Sequence, residues 1–148
     1  MYKRLSLFVF TIIAILTIQG CKMLPNKPYK PEALDAKKAL IYIYRPSSII
    51  SRGTNFSVTV NGKTVLKPLV DHSYQFAYVQ PGTVNLVLKE DKLLGGTLHD
   101  VNFDNLEPGK AYYIKTEPAL FGAYELEMKD ETVGKAELKG SKRFLPQK

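Results

Sequence analysis

From residue 39 onward, apolar and polar positions alternate along the chain with a period of two. In residues 39–45, ALIYIYR, both alternating sets are apolar. A strand with two apolar faces is typical of the centre of a sheet that is covered on both sides. Residues 56–60, FSVTV, instead alternate apolar with polar side chains, which predicts a strand with one buried face.

Turn residues separate the segments that have this period. Asn61-Gly62 is a strong two-residue hairpin signal, because a type I′ turn needs positive φ at both positions, and Pro81-Gly82 also turns the chain. Pro68 places its strand at an edge or a bulge. The pattern predicts a mostly antiparallel β-sandwich of about seven to eight strands. The predicted strands are residues 39–45, 55–60, 63–69, 73–79, 83–89, 97–103, 110–117 and 123–129.

The end of the chain changes period and predicts one short helix. Asp130 is a favourable cap for a short helix that is predicted to run through about Lys139 and is supported by the residues from Glu131 to Leu138. Gly134 should weaken this helix by about 1 kcal/mol relative to alanine. We therefore place the β-sandwich domain with its helix at residues 39–140 and a basic tail at residues 141–148.

The first 20 residues have the pattern of a secretory signal peptide. Lys3 and Arg4 precede the apolar residues 5–18, and Gly20 supplies a small residue before Cys21. The apolar run is shorter than the roughly 20 residues that a membrane-spanning helix needs. Cleavage is expected between Gly20 and Cys21.

Residues 18–21, Ile-Gln-Gly-Cys, resemble the lipobox of bacterial lipoproteins. The resemblance implies diacylglyceryl transfer to the Cys21 thiol and cleavage before Cys21. It also implies acylation of the new N-terminus with a fatty acid such as palmitate. Two or three acyl chains make a durable anchor, whereas one binds a membrane only marginally. The alternatives are a plain signal peptide that leaves a free thiol and an uncleaved signal anchor. Cys21 is the only cysteine, which excludes a disulfide within the chain.

Residues 21–38 connect the predicted anchor to the domain. Residues 22–31, KMLPNKPYKP, hold three prolines and three lysines. Proline fixes φ and removes backbone donors, so this segment is expected to be an extended tether. Ten extended residues reach roughly 30 Å, which would lift the domain off the membrane surface.

Charge and size limit the classes of function. The formal charge of the whole chain is +7, and the chain from Cys21 onward keeps 19 basic and 14 acidic residues. The basic residues form no arginine-rich stripe, so nucleic acid is not an expected partner. A basic surface suits anionic lipid headgroups or an anionic cell-wall polymer. The alternative is that the charge serves only solubility.

Five segments follow one another in a recognisable order: IYIYRPSS, FSVTVNGKTVLKPL, SYQFAYVQPGTVNLVL, the YYIK strand and the helix ETVGKAEL. In this order they resemble a family of small bacterial lipoproteins known as domain of unknown function 2846. The resemblance covers roughly residues 39–140 and implies an exported β-sandwich without assigned catalytic residues.

Few residues suggest chemistry. Asp71-His72 and His99-Asp100 contain zinc-ligand types but lack short-range ligand spacing, so no metal site is predicted. No nucleophile elbow, Walker loop or dinucleotide-binding motif occurs, and we predict neither an enzyme nor a cofactor. Arg45 and Arg52 flank a loop and are candidate contacts for a carboxylate or phosphate. The favoured alternative for these arginines is an ion pair within the protein.

Aromatic residues give a second candidate surface. Six tyrosines could line a ligand groove, although core packing with hydroxyls at the rim is the favoured alternative. These residues are Tyr42, Tyr44, Tyr74, Tyr78, Tyr112 and Tyr113.

These observations together predict an exported lipoprotein anchored to membrane lipid through acylated Cys21. Lys22 in place of aspartate after the cysteine resembles lipoproteins sorted to the outer membrane of diderm bacteria, which places the protein facing the periplasm. The leading function hypothesis is a non-enzymatic binding or assembly module that contacts an envelope protein or cell-wall polymer. The alternatives are an accessory or inhibitor lipoprotein of an envelope machine, such as a secretion apparatus or a cell-wall enzyme, and an enzyme with an unrecognised site.

Overall fold

The structure is a computed structural model that describes residues 26–49, 53–92, 95–119 and 123–144. The predicted signal peptide, Cys21 and Arg52 lie outside the described residues. The described part contains one helix, α1 (Glu131–Leu138), and ten strands. The strands are β1 (Asn26–Pro28), β2 (Ala39–Arg45), β3 (Phe56–Val60), β4 (Thr64–Leu69), β5 (Ser73–Val79), β6 (Gly82–Glu90), β7 (Thr97–Leu106), β8 (Ala111–Pro118), β9 (Tyr124–Lys129) and β10 (Lys142–Phe144).

The strands form two sheets that pack face to face. The larger sheet has six strands in the order β1-β10-β5-β2-β8-β9, and the smaller has four in the order β4-β3-β6-β7. The pairs β2–β8 and β5–β10 are parallel, and the other pairs are antiparallel. The predicted fold class, a mostly antiparallel β-sandwich with a short C-terminal helix, is confirmed.

Strand β2 lies in the middle of the larger sheet, between β5 and β8, and all seven of its residues are buried. Ala39, Ile41 and Ile43 face the smaller sheet and join the core between the two sheets. Leu40 and Tyr42, on the opposite face, belong to a second apolar cluster. The prediction of a central strand covered on both sides is therefore confirmed.

The core between the sheets consists of inward-facing aliphatic and aromatic side chains from both layers. Full burial of one such side chain stabilises the fold by about 1.5–3 kcal/mol relative to exposure. The buried residues of this core that lie outside β2 are Phe56, Val58, Val60, Leu69, Val79, Val84, Leu86, Leu88, Leu106, Ile114 and Leu126.

A second apolar layer covers the outer face of the larger sheet. Helix α1 contributes Leu138, which is fully buried, and the segment after β1 contributes Tyr29. The Tyr42 ring stacks on Tyr113 with 5.3 Å between centroids and meets the Tyr29 ring edge-on at 5.8 Å. Because α1 and the N-terminal segment shield these rings, the sandwich has a third partial layer.

Gly134 marks the closest approach of α1 to the larger sheet. A Cβ atom at this position would overlap Cβ and Cγ of Tyr113 and lie 2.8 Å from its Cδ1. Asp130 occupies the N-cap position as predicted, but its side chain makes no capping hydrogen bond. Its carbonyl oxygen accepts a hydrogen bond of 2.8 Å from Gly134 N–H, so the backbone alone begins the helix.

The predicted hairpin between β3 and β4 is confirmed. Asn61 and Gly62 both have positive φ, 50° and 65°, as a type I′ turn requires. Asn61 Oδ1 also accepts a hydrogen bond of 2.8 Å from Asn85 N–H on β6, which ties the turn to the next strand. Strand β4, with Pro68, is an edge strand as predicted.

Two strands, β1 and β10, were not predicted. They lie within residues 21–38 and 141–148, which the sequence assigns to a tether and a tail, and they pair antiparallel at the edge of the larger sheet. Each has three residues, too few to show a period, and their sequences, NKP and KRF, are rich in charge. Parts of both segments thus belong to the folded body, whereas the boundary of the signal peptide stays a prediction.

Candidate binding cavity

Arg45 closes one end of the core between the sheets. It is the last residue of β2, its side chain points inward, and only 2% of its surface is exposed. Its guanidinium carbon lies 4.5 Å from the centroid of the Phe56 ring on β3, and Nη1 donates a hydrogen bond to the Thr54 carbonyl oxygen. The arginine therefore connects the two sheets through a cation–π contact and a charged hydrogen bond.

Asp71 provides the nearby negative charge. Its Oδ1 accepts a hydrogen bond of 2.8 Å from Ser48 N–H, and its Oδ2 accepts one of 3.2 Å from the Ser47 hydroxyl. Burial lowers the pKa of Arg45, and the charge of Asp71 opposes that shift. Arginine keeps its proton even when buried, so a fixed positive charge stands at this end of the sandwich.

A cavity of about 340 Å³ opens beside Arg45. Pro46, Pro118 and Tyr124 give it apolar surface, and Ser47 lies at its exposed margin. The centroids of the Tyr124 and Phe56 rings are 4.6 Å apart, so the wall of the cavity is continuous with the core. The cavity thus combines a rigid apolar wall with polar groups, which is the usual composition of a ligand site.

Thr116 is the unusual residue of this cavity. It follows Tyr112 and Ile114 on the inward face of β8, and only 2% of its surface is exposed. Its Oγ1 has no hydrogen-bond partner among the residues that the structure describes. A buried hydroxyl without a partner costs stability, typically about 1–3 kcal/mol. A donor or acceptor of a ligand would satisfy this hydroxyl once the cavity wall moves enough to expose it.

Lys115 and Glu117, at the outer rim of the cavity, belong to an ion-pair network. Lys115 Nζ lies 2.5 Å from Glu117 Oε1 and 2.9 Å from Glu137 Oε1, and Tyr44 donates a hydrogen bond of 2.6 Å to Glu137. A hydrogen bond from Lys115 lowers the pKa of Glu117. Burial opposes ionisation of Glu137, but the hydrogen bonds from Tyr44 and Lys115 outweigh it and lower its pKa. The network fastens α1 to β8.

Most of the predicted tyrosine surface is packing rather than an open groove. Four of the six tyrosines are buried in the layer beneath α1, which favours the packing interpretation; they are Tyr42, Tyr44, Tyr74 and Tyr113. Burial raises the pKa of Tyr42 to about 12, although its oxygen accepts a hydrogen bond from Glu32 N–H. Tyr78, at 38% exposure, donates to the Ala33 carbonyl oxygen.

The remaining candidates do not form a site in the described residues. His72 lies in the turn before β5, His99 lies on β7, and no three metal-ligand side chains converge in the part of the chain that the structure covers. Within the same ranges, no helix has the length and apolarity to cross a bilayer. Arg52 is outside the described residues, so its predicted contact with a carboxylate or phosphate stays a prediction.

The sequence analysis found Arg45 but missed Thr116 and Tyr124. The sequence does contain an indication for Thr116. The alternation along β8 places this polar residue on the same face as Tyr112 and Ile114, which points toward the core. The tertiary neighbours that turn this polar position into a cavity wall come from the loop after β2 and from β9, and local pattern does not identify them.

Comparison with models of known protein families and with curated proteins finds no match for this chain. The resemblance to the domain of unknown function 2846 family accordingly stays a prediction from the segments quoted above.

Proposed function

We propose that the protein is a membrane-anchored lipoprotein of the cell envelope that works as a non-enzymatic binding module. Thr116 carries the structural side of this proposal, because this residue borders a cavity and its buried hydroxyl lacks a partner among the described residues. Residues 18–21 support the anchor by their resemblance to a lipobox. The likeness of residues 39–140 to domain of unknown function 2846 is part of the same proposal.

The proposed ligand is a segment of an envelope protein or cell-wall polymer. A cavity of about 340 Å³ admits one side chain or one sugar-sized group, not a whole macromolecule. Its polar groups, Thr116 and Arg45, suit a carbonyl, hydroxyl or carboxylate, and the Tyr124 ring suits an apolar surface. The proposed location is the periplasmic face of the outer membrane.

The anchor is tested by Cys21→Ser. Without the thiol no diacylglyceryl group can be attached, and we expect the variant to accumulate as unprocessed precursor. Metabolic labelling with a tagged fatty acid, followed by mass measurement of the N-terminal peptide, provides the readout. A Cys21→Ser chain that is cut before residue 21 and remains with the membranes would show that acylation is not what holds the protein.

The cavity is tested by photo-crosslinking in living cells. We replace Ser47, at the exposed margin of the cavity, with p-benzoylphenylalanine, and use Lys63 at the exposed hairpin tip as the matched control position. A dominant adduct from position 47 alone is expected. If that adduct is one envelope protein, the module is an accessory subunit; if it is a polymer fragment, the module binds the cell wall. The same adducts from both positions, or none, would contradict a role for this cavity.

Thr116→Val separates binding from folding. Valine has nearly the shape of threonine and removes the unpartnered hydroxyl, so we expect the free energy of unfolding to rise by about 1 kcal/mol. The crosslink from position 47 is expected to decrease in the same variant. Chemical denaturation followed by circular dichroism measures the first effect. A loss of stability would mean that the hydroxyl serves the fold rather than a ligand.

A further inference from the structure

Positive charge is segregated along the chain. Residues 22–31 and 139–148 together hold seven lysines and arginines and no acidic residue. Residues 32–138 hold 12 basic and 14 acidic residues, so the body between these two segments is slightly negative. All the net positive charge of the chain after Cys21 therefore lies in two short segments at opposite ends of the sequence.

Pairing of β1 with β10 brings these two segments together. Lys27 lies opposite Arg143 in the register, and Pro28 lies opposite Lys142. Tyr29 N–H extends the pairing with a hydrogen bond of 2.9 Å to the Ser141 carbonyl oxygen. Residues 26–28 and 142–144, which are more than 100 residues apart in sequence, thus lie side by side at one edge of the larger sheet.

Five cationic side chains lie at and beside this edge: Lys27, Lys30, Lys139, Lys142 and Arg143. We call this rim of the sheet the basic face, although consecutive strand residues such as Lys142 and Arg143 project from opposite sides of the sheet. Its four lysines are exposed. Arg143 is half-buried, with its guanidinium carbon 4.0 Å from the centroid of the Phe76 ring. None of the ion pairs between described residues includes any of the five. The charges of the four lysines are therefore directed to solvent or to a partner.

The position of β1 places this face near the predicted anchor. Asn26, its first residue, follows Cys21 by five positions, and an extended chain spans at most about 3.5 Å per residue. The edge of the sheet can therefore stand no more than roughly 18 Å from an acylated Cys21. This distance is shorter than the tether predicted from sequence, because the folded body takes up residues 26–31.

We propose that the basic face docks on anionic phospholipid headgroups of the membrane that holds the anchor. The proposal rests on the proposed function, because it needs the acylated cysteine. Anionic lipid surfaces attract basic side chains within about one Debye length, roughly 8 Å at physiological ionic strength. Each basic residue near such a surface shifts the docking equilibrium by about fivefold. Docking would fix the larger sheet relative to the bilayer instead of leaving the domain on a free tether.

The test uses the acylated full chain in vesicles, with a fluorophore on one engineered cysteine and a spin-labelled lipid headgroup as quencher. The engineered position is Ala136→Cys, because Ala136 is exposed and borders the same hollow as Lys139 and Tyr29. The matched position is Glu125→Cys on β9, which forms the opposite edge of the larger sheet. We expect quenching at position 136 and not at 125, in vesicles containing phosphatidylglycerol and not in pure phosphatidylcholine.

Charge variants give the decisive comparison. Changing Lys27, Lys30 and Lys142 to glutamine should lower the ratio of docked to undocked protein by roughly a hundredfold. The control changes an equal number of exposed lysines elsewhere to glutamine, namely Lys37, Lys63 and Lys89, and should leave quenching intact. Equal quenching at position 136 in neutral and anionic vesicles would overturn the docking. An equal loss of quenching in the basic-face variant and in the control variant would overturn it as well.

The protein without an engineered cysteine, prepared in the same way, shows whether the anchor itself is absent. Cys21 is the only natural cysteine, and transfer of a diacylglyceryl group converts its thiol to a thioether that maleimide cannot label. Labelling of the unmodified sequence at Cys21 would refute the proposed lipoprotein, and with it the docking. A blocked Cys21 without charge-dependent quenching would refute the docking alone.

Discussion

Gly134→Ala is expected to lower the free energy of unfolding by about 3 kcal/mol, although alanine is the better helix former. An added Cβ would overlap Tyr113, whose ring is buried and stacked on Tyr42 and so has no room to move aside. Helix α1 would have to lift from the sheet, which loosens the buried Leu138. Thermal unfolding should show a fall in Tm of roughly 10 °C.

Thr132→Ala is the matched control for this prediction. Thr132 lies in the same helix but is exposed, so alanine there gains helix propensity without meeting the sheet. Its effect should stay within about 0.5 kcal/mol. A Gly134→Ala protein that melts at or above the unsubstituted protein would mean that α1 does not approach Tyr113 this closely.

Gly134 also shows where sequence reasoning ends. Local propensity predicts that this glycine weakens the helix, and that inference is correct for an isolated helix. In the folded protein the glycine permits contact with Tyr113 of β8, which lies 21 residues earlier in the chain. Helix propensity contains no information about that contact. Propensity alone predicts that alanine at position 134 stabilises the protein, whereas the contact predicts that it destabilises the protein.

Period-two alternation predicted the strands well because it reflects burial directly. Strand β2 is apolar on both faces since a second layer covers its outer face, and the Asn61-Gly62 turn needs only local backbone geometry. Strands β1 and β10 were missed for a physical reason. Their stability comes from pairing between the two ends of the chain and from the docking of Tyr29, neither of which leaves a local pattern.

The candidate site was predictable only in part. Arg45 was noticeable as a charge at the end of an apolar strand, and the favoured expectation for it was an ion pair within the protein. The structure adds the Phe56 ring and the Thr54 carbonyl as its contacts, with the charge of Asp71 nearby. These neighbours come from three different turns and strands, which only the tertiary fold brings together.

Arg45→Lys is expected to destabilise the protein by about 2–3 kcal/mol even though it keeps the charge. An ammonium group cannot lie flat on the Phe56 ring and also bond the Thr54 carbonyl with the fork geometry of a guanidinium. The Thr54 carbonyl would then lose its charged donor. Equilibrium denaturation measures the change.

Arg143→Lys provides an internal comparison, because Arg143 also lies over a phenylalanine ring, that of Phe76, but at the half-buried edge of the sheet. A lysine at position 143 can remain hydrated, so the free energy of unfolding is expected to fall by less than about 1 kcal/mol. A large loss at Arg45 with a small loss at Arg143 would show that burial gives Arg45 its structural role. If Arg45→Lys were instead neutral for stability and abolished the crosslink from position 47, the guanidinium would be a ligand contact. The two substitutions together thus decide between the roles that the sequence left open for Arg45.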